Sequence, residues 1–400
     1  MATADVLIIG AGPAGSAAAR SLALRGLKVV LADRASFPRD KVCGDALIPD
    51  ALAALDRLSL RARVLDAALP LGSIRIHAPG GRSVDVRGEC ACLPREVLDD
   101  KLRRAAVEAG AEFRPACEAV APLEEDGAIR GARFRDTTTK GDCDVRARMT
   151  LLATGAAGRP LKSFGVVTRP TPSATAARLY YRVDPALARD VRHLCVSYDR
   201  AVCPGYGWIF PGPDNVFNVG VGYFYDAPPP PIANLRVLLE RFLEIFPPAR
   251  EIARHGSPIT ALKGAPLRTA LAGARLHRPG LLVVGEAAGA TYSFSGEGIG
   301  KAMETGLLAA DAVADGLAAG RDAAAIGAAY DTQVRQRLGD RFRAYRVVQT
   351  WLVHPRLADF IAWRAGAGRY VRTRLEGVFN ETADPLELFS AAGMLKALFT

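Results

Sequence analysis

Apolar and polar positions alternate with two distinct periods along the chain, and the first forty residues combine both. Residues 6–9 form an unbroken apolar run, residues 13–24 are Ala-rich with helical spacing, and residues 28–32, apolar from Val29 on, read as a second strand that ends at Asp33. Short apolar runs flanking a helix-period segment predict a strand, a helix and a second, parallel strand. Further along, residues 50–60 have helical spacing at Leu52, Leu55 and Leu58. Residues 73–77 and 83–86 alternate around Pro79-Gly80-Gly81, the pattern of a hairpin. From Pro94, Val97, Leu98, Leu102 and Ala105 mark a helix that stops at Gly110, and residues 128–135 and 144–152 read as strands. A strand-rich stretch follows at 174–183, 194–198, 208–210 and 216–221, read as antiparallel, with Gly-Pro-Asp-Asn joining the last two. Prolines 228–231 break the pattern before a helix at 233–246; a strand at 280–285 and a helix at 299–317 come next, and the chain is helical beyond 323.

The first unit carries chemistry. Gly10, Gly12 and Gly15 stand between its first strand and its helix in the order G-x-G-x-x-G. Such glycines permit a sharp turn, a close backbone approach to a pyrophosphate, and tight helix-on-strand packing, while the helix start offers unpaired N–H groups to an anion. Asp33 closes the second strand, where a carboxylate accepts hydrogen bonds from ribose hydroxyls. The spacing therefore predicts a dinucleotide-binding βαβ unit.

Composition bounds the rest. At 400 residues, half of them apolar and about a quarter charged, the chain can bury a sizeable core and form two domains. The formal charge of +10 is scattered rather than clustered with aromatics, which argues against nucleic acid and for an anionic ligand or a membrane face. Seven cysteines without a CxxC pair suggest neither a disulfide framework nor a zinc site. No secretory leader and no apolar run of spanning length stand out, so the expectation is a cytoplasmic protein, soluble or peripheral to a membrane.

A second constellation, VVGEAAGATYSFSGEGIGKAMETG, places another strand-to-helix junction more than 260 residues after the first. Glu286 can bond a ribityl chain, and the glycines from Gly296 to Gly300 leave N–H groups free at the start of the 299–317 helix. With KVCGD at 41–45, ATG at 153–155 and YGWIFP at 206–211, the chain resembles the geranylgeranyl reductase family of FAD-dependent oxidoreductases, within the glutathione-reductase-like group that includes the aromatic hydroxylases. Two positions depart from the family pattern: Cys203 replaces the first proline of PxxYxWxFP, and Glu286 stands where aspartate is usual.

The resemblance implies an α/β fold with a Rossmann-like FAD-binding domain, an antiparallel-sheet substrate domain and a helical C-terminus. It places the FAD domain at 1–72, 90–170 and 275–322, the sheet domain at 73–89 and 171–274, and the helical region at 323–400. It implies that Gly10, Gly12, Pro13, Ala14, Gly15, Asp33 and Arg34 hold the ADP half of FAD, with Arg95 near the pyrophosphate and Thr154 and Gly155 beside the cofactor. Glu286, Gly296, Glu297, Gly298 and Ile299 would hold the ribityl chain and ring; Glu297 would alternatively cap the helix. Cys43 and Gly44 would adjoin the isoalloxazine as the catalytic pair, and Tyr206, Trp208 and Phe210 would line an apolar substrate cavity.

The activity so implied is reduction of carbon–carbon double bonds in an isoprenoid or polyketide-like substrate by hydride from reduced flavin N5, with Cys43 or a water supplying the proton. Monooxygenation through a flavin hydroperoxide is the alternative, and simple electron transfer a third, disfavoured by the aromatic-lined sheet. FAD would be bound noncovalently, and NAD(P)H would donate electrons by binding transiently in the substrate cleft. The Arg- and aromatic-rich stretch 335–374 would pack on the flavin domain, cover the cavity, or face anionic lipid. Substrate identity and oligomeric state stay open.

Overall fold

The computed structural model describes residues 4–203, 205–225, 234–352 and 354–399. Pro204, prolines 228–231 and the expected helix start at 233 lie outside the described residues. The architecture is α/β, with a Rossmann-like domain, a second sheet domain and a helical C-terminus.

The first sheet has eight strands, and its parallel core runs in the order Leu281–Val283, Asp142–Leu152, Ala4–Ile9, Val29–Ala32, Glu112–Arg114. Register aligns Ile8 with Leu31 on one side and Leu151 on the other, all three fully buried. Strands covered on both faces need continuous rather than alternating apolar sequence, which is why VLII and VVLA carry no polar residue. Helix Pro13–Ala23 covers one face and lies against helix Ile299–Ala318. Cys117–Glu125 pairs with Ala128–Asp136, which pairs with Asp142–Leu152, as an antiparallel meander on the same sheet.

The second sheet has nine strands, ordered Ser257–Pro258, Ala174–Arg182, Val216–Phe224, Gly205–Pro211, Leu194–Ser197, Leu69–His77, Ser83–Cys92, Ala46–Leu47, with Lys263–Leu267 also on Ala174–Arg182. It is antiparallel except where Leu194–Ser197 runs parallel to Leu69–His77, a departure from the all-antiparallel expectation. That pairing brings the early hairpin into the sheet of the middle region. Helix Leu235–Ile245 packs Leu239 and Phe242 under the sheet, with Phe242 against Gly207.

The C-terminal helices divide their packing. Helix Ala323–Leu352 buries Ile326, Tyr330, Val334, Leu338 and Phe342 on the Rossmann-like domain. Helices Pro355–Ala367 and Arg369–Phe379 instead bury Ile361, Ala365, Val371 and Phe379 against the second sheet and its hairpin. No helix among the described residues is long and apolar enough to cross a membrane.

Two glycines test this packing in opposite directions. A Cβ on Gly306 would lie 2.3 Å from the Ala14 carbonyl oxygen, whereas one on Gly339 meets nothing within 4 Å. Gly339→Ala should raise stability by about 0.5–1 kcal/mol through helix propensity, and Gly306→Ala should lower it by about 2 kcal/mol or more despite the same propensity gain. Denaturant titration of both variants checks the contrast.

Candidate active site

The three early glycines do three different things. Gly10 adopts φ +107° where the chain turns out of the first strand, and a Cβ there would sit 2.3 Å from the Ala153 carbonyl oxygen. At Gly15 a Cβ would lie 1.8 Å from the Gly10 carbonyl oxygen, so helix and turn touch only because no side chain intervenes. Gly12 faces the cleft, where a Cβ would lie 3.6 Å from Arg39 Nη2 and 3.9 Å from Arg95 Nη2. A helix start that opens on a cleft between two guanidinium groups is suited to an anion. Asp99, fully buried, fixes both cations: Arg95 donates to it from Nε and Nη2 at 2.7 and 2.8 Å, and Arg39 Nη2 lies 3.2 Å away. Burial opposes the Arg95 charge, but Asp99 outweighs it and holds the guanidinium protonated.

At the end of the second strand, Asp33 accepts the Ala11 N–H at 2.8 Å and the Ala35 N–H at 2.9 Å. Each carboxylate oxygen keeps a further lone pair for a ligand hydroxyl. Arg34 is exposed at the rim.

The second glycine-bearing junction opens on the same cleft. A Cβ on Gly285 would meet the Ala14 side chain at 2.9 Å, which locks the junction to the first helix. Glu286 lines the cleft 3.9 Å from Lys41 Nζ and beside Gly155. Thr154 Oγ1 is buried without a hydrogen-bond partner among the described residues. Gly296, at φ +71°, lies under Tyr206, whose hydroxyl donates to the Ser295 carbonyl at 2.7 Å. Gly298 precedes the first turn of helix Ile299–Ala318. Burial, then the nearby Asp50 and Glu381, push Glu297 up to about 8.

Between the junctions runs the KVCGD segment, held by a polar network that sequence reading did not find. Asp45, at φ +69° and buried, accepts from Tyr180 Oη at 2.6 Å, Asn218 Nδ2 at 2.7 Å and the Arg95 backbone N–H at 3.2 Å. Asn218 Nδ2 also donates to the Cys43 carbonyl at 2.7 Å, while its Oδ1 accepts Trp208 Nε1–H at 2.9 Å. Phe210 packs on Gly44, where a Cβ would approach its ring to 2.9 Å. Tyr206, Trp208 and Phe210 form a continuous aromatic shelf, with ring centroids 5.8 and 6.3 Å apart. The half-buried Cys43 lies at the edge of this arrangement.

One cavity of about 730 Å³ joins these parts. It is lined by Gly10, Gly12, Pro13, Ala14, Asp33, Arg34, Cys43, Gly44, Arg95, Thr154, Gly155, Glu286, Gly296, Glu297, Gly298 and Ile299, together with Tyr206, Trp208 and Phe210. Of the residues expected at the site, Gly15 does not line it and acts through packing. Beyond the aromatic shelf the walls turn apolar, with Ile74, Val86 and Leu194 from the sheet facing Ile361, Val378 and Phe389 of the C-terminal region. Sequence reading also missed Arg39 and Asp99. A signal existed for Asn218, a lone amide within the apolar strand VFNVGVGYF.

The donor set fits FAD: a cationic helix start for a pyrophosphate, a carboxylate at the second strand's end for a ribose, an unpartnered Thr154 hydroxyl, and a second helix start bare of side chains at Gly296, Gly298 and Gly300. Comparisons agree. Residues 3–196 match the family described as FAD binding domain. The chain is 31% identical to a menaquinone reductase of Mycolicibacterium smegmatis, over 95% of this chain and 93% of that one. It is 29% identical to digeranylgeranylglycerophospholipid reductase 2 of Methanopyrus kandleri, over 85% and 84% of the two chains. In fold it is similar to a geranylgeranyl bacteriochlorophyll reductase-like protein of Thermoplasma acidophilum, with TM-score 0.79 at 23% identity, covering 100% of this chain and 96% of that one. It is also similar to the flavin-dependent brominase Bmp2, with TM-score 0.77 at 19% identity over 99% and 98% of the chains.

Burial raises the Asp45 carboxyl to about 6, with Tyr180 and Asn218 acting against the rise. The folded state therefore keeps a proton that the unfolded chain releases, so stability should fall as pH climbs from about 4 to 6, by up to about 3 kcal/mol. Thermal unfolding of the cofactor-free protein across this range should show a shallower fall for Asp45→Asn than for the wild type, the remaining slope coming from other buried carboxyls such as Glu297.

Proposed function

Since the chain belongs to the geranylgeranyl reductase family of FAD-dependent oxidoreductases, we propose that it saturates carbon–carbon double bonds in a polyprenyl chain, such as that of a quinone or an isoprenoid lipid. The observation that carries this reading is the aromatic shelf of Tyr206, Trp208 and Phe210, which runs from the glycine-bearing helix starts into the apolar end of the cavity. A long hydrocarbon chain fits such a cleft and a small polar substrate does not. The names of the two relatives support the same substrate class.

When bound, FAD supplies hydride chemistry, with electrons drawn from a nicotinamide-class donor. The chain's own residues position and dry the reaction. Arg39 and Arg95 hold the pyrophosphate, Asp33 the ribose, and Glu286 with the 296–300 glycines the ribityl and ring portion. Trp208 and Phe210, packed on Gly44, present an apolar wall beside the Cys43–Gly44 segment along which an alkene lies, and Asn218 keeps that segment in place by bonding the Cys43 carbonyl. In this reading the Cys43 thiol, which lines the cavity, hands a proton to the second alkene carbon. Helices Pro355–Ala367 and Arg369–Phe379 wall off water from the apolar end. No second βαβ unit for a nicotinamide stands among the described residues, so that donor would use the same cleft in turn. A peripheral contact with a membrane, from a cytoplasmic position, suits the same substrate. Trp363 and Leu395 in the C-terminal region are exposed by 46% and 59%.

The test is anaerobic. The FAD of the purified protein is reduced, then mixed with polyprenyl quinone or unsaturated isoprenoid lipid, and reoxidation is followed with product mass. Reoxidation without oxygen and a product two hydrogens heavier are expected. A product carrying an oxygen atom, formed only in air, would instead establish monooxygenation. Cys43→Ala should slow alkene-dependent reoxidation by about 100-fold or more while leaving FAD affinity unchanged.

A further inference from the structure

At the start of helix Ile299–Ala318 sits a buried carboxylate with no task in the reading above. Asp50, in the first turn of helix Pro49–Arg57, lines the cavity and packs on Gly300, where a Cβ would come within 2.2 Å of its Oδ2. Its side chain is 2% exposed, and neither carboxylate oxygen has a hydrogen-bond partner among the described residues. A buried carboxylate without donors is costly, and a protein keeps one where it has work to do.

Its surroundings form a path to solvent. Lys301 Nζ lies 3.8 Å from Asp50 Oδ2 and donates to Glu304 at 2.8 Å and Glu381 at 2.9 Å. The Lys301 side chain is 3% exposed, but those of Glu304 and Glu381 are 26% and 24% exposed. Glu381 also accepts from Tyr292 Oη at 2.8 Å, with Arg341 Nε 3.4 Å away. The ionisable groups facing Asp50 are thus Lys301 and Glu304 from the Ile299 helix, Glu297 and Tyr292 from the loop before it, Glu381 from the C-terminal region, and Arg341 behind that glutamate. Four carboxylates share two cations, so the cluster binds a proton readily.

We propose that Asp50 is the proton-accepting group of the redox cycle, taking up one proton from solvent, by way of Glu304 or Glu381 and then Lys301, for each electron pair delivered to FAD in this cleft. The inference rests on the FAD reading. The pair comes from a nicotinamide-class hydride donor, or from dithionite in the test, and leaves added negative charge at the helix start. An O–H bond then forms on Asp50 and neutralises it. When the pair passes on to an unsaturated acceptor, that O–H bond breaks and the proton returns to the path. Burial, resisted by Lys301 and assisted by Glu381 and Glu304, raises the carboxyl well above the usual carboxylate range, toward the point where added negative charge favours its protonated form.

The FAD-loaded protein is titrated between its oxidised and reduced forms from pH 6 to 8, alongside Asp50→Asn. The expected result is a potential whose pH dependence corresponds to as much as one more proton per two electrons in the wild type than in the variant. The wild-type reduced-minus-oxidised infrared spectrum should also gain a protonated-carboxyl band that Asp50→Asn lacks. Equal pH dependence in the two FAD-loaded proteins overturns the proposal. Should the variant not hold FAD, a wild-type infrared spectrum without that band overturns it equally, and its presence supports it. Wild-type protein that binds no FAD overturns the cofactor assignment itself.

Discussion

The structure depends on the close contact of two helices distant in sequence. Ala14 is the meeting point: Gly306 leaves room for its carbonyl oxygen, Gly285 for its side chain, and the Gly285 N–H donates to Thr305 Oγ1 at 2.9 Å. The contact lies at the second residue of the first helix and two turns into the second, and the starts of both helices open on one cleft. Two ends of one long cofactor can then be held by elements nearly 300 residues apart. Any side chain larger than hydrogen at Gly306 or Gly285 would separate the two starts, and the cleft would lose its length before it lost any ligand-binding group.

The second sheet is tied to this cleft by hydrogen bonds rather than by apolar packing alone. Asn218 joins Trp208 of the shelf to Asp45 and to the Cys43 carbonyl, and Asp45 joins the segment to Tyr180 and to the first turn of helix Arg95–Glu108. The same short loop therefore reports to the cation pair at one end and to the aromatic shelf at the other. Such a network, buried and with its donors directed at one carboxylate, fixes geometry more sharply than an apolar contact could. It accounts for the tolerance of Asp45 at positive φ, since three donors hold it there.

How much was legible in the sequence follows from the range of the interactions. The first βαβ unit was, because its strands are buried on both faces and its glycines sit at fixed local spacing. The helix Pro247–His255 was not, although its two leading prolines are favourable in a first helical turn, because only its short stretch 249–255 carries a pattern. Strand Cys117–Glu125 was hidden by Pro122 and by two register shifts against its partner, which erase the alternation of buried and exposed positions. At the site, the glycines and the aromatic triplet could be named because motif spacing marks them. Asp45, Asn218 and Tyr180 could not be assembled, as their partners lie 135 to 173 residues away. Asp99 carries no motif, and only the fold brings Arg39 and Arg95 to it.

Whether both helix starts grip one cofactor would be seen in a crystal structure with FAD bound. The pyrophosphate should lie against Gly12, between the guanidinium groups of Arg39 and Arg95, with the ring system reaching Gly296–Gly300. FAD bound with either helix start left empty would contradict this arrangement.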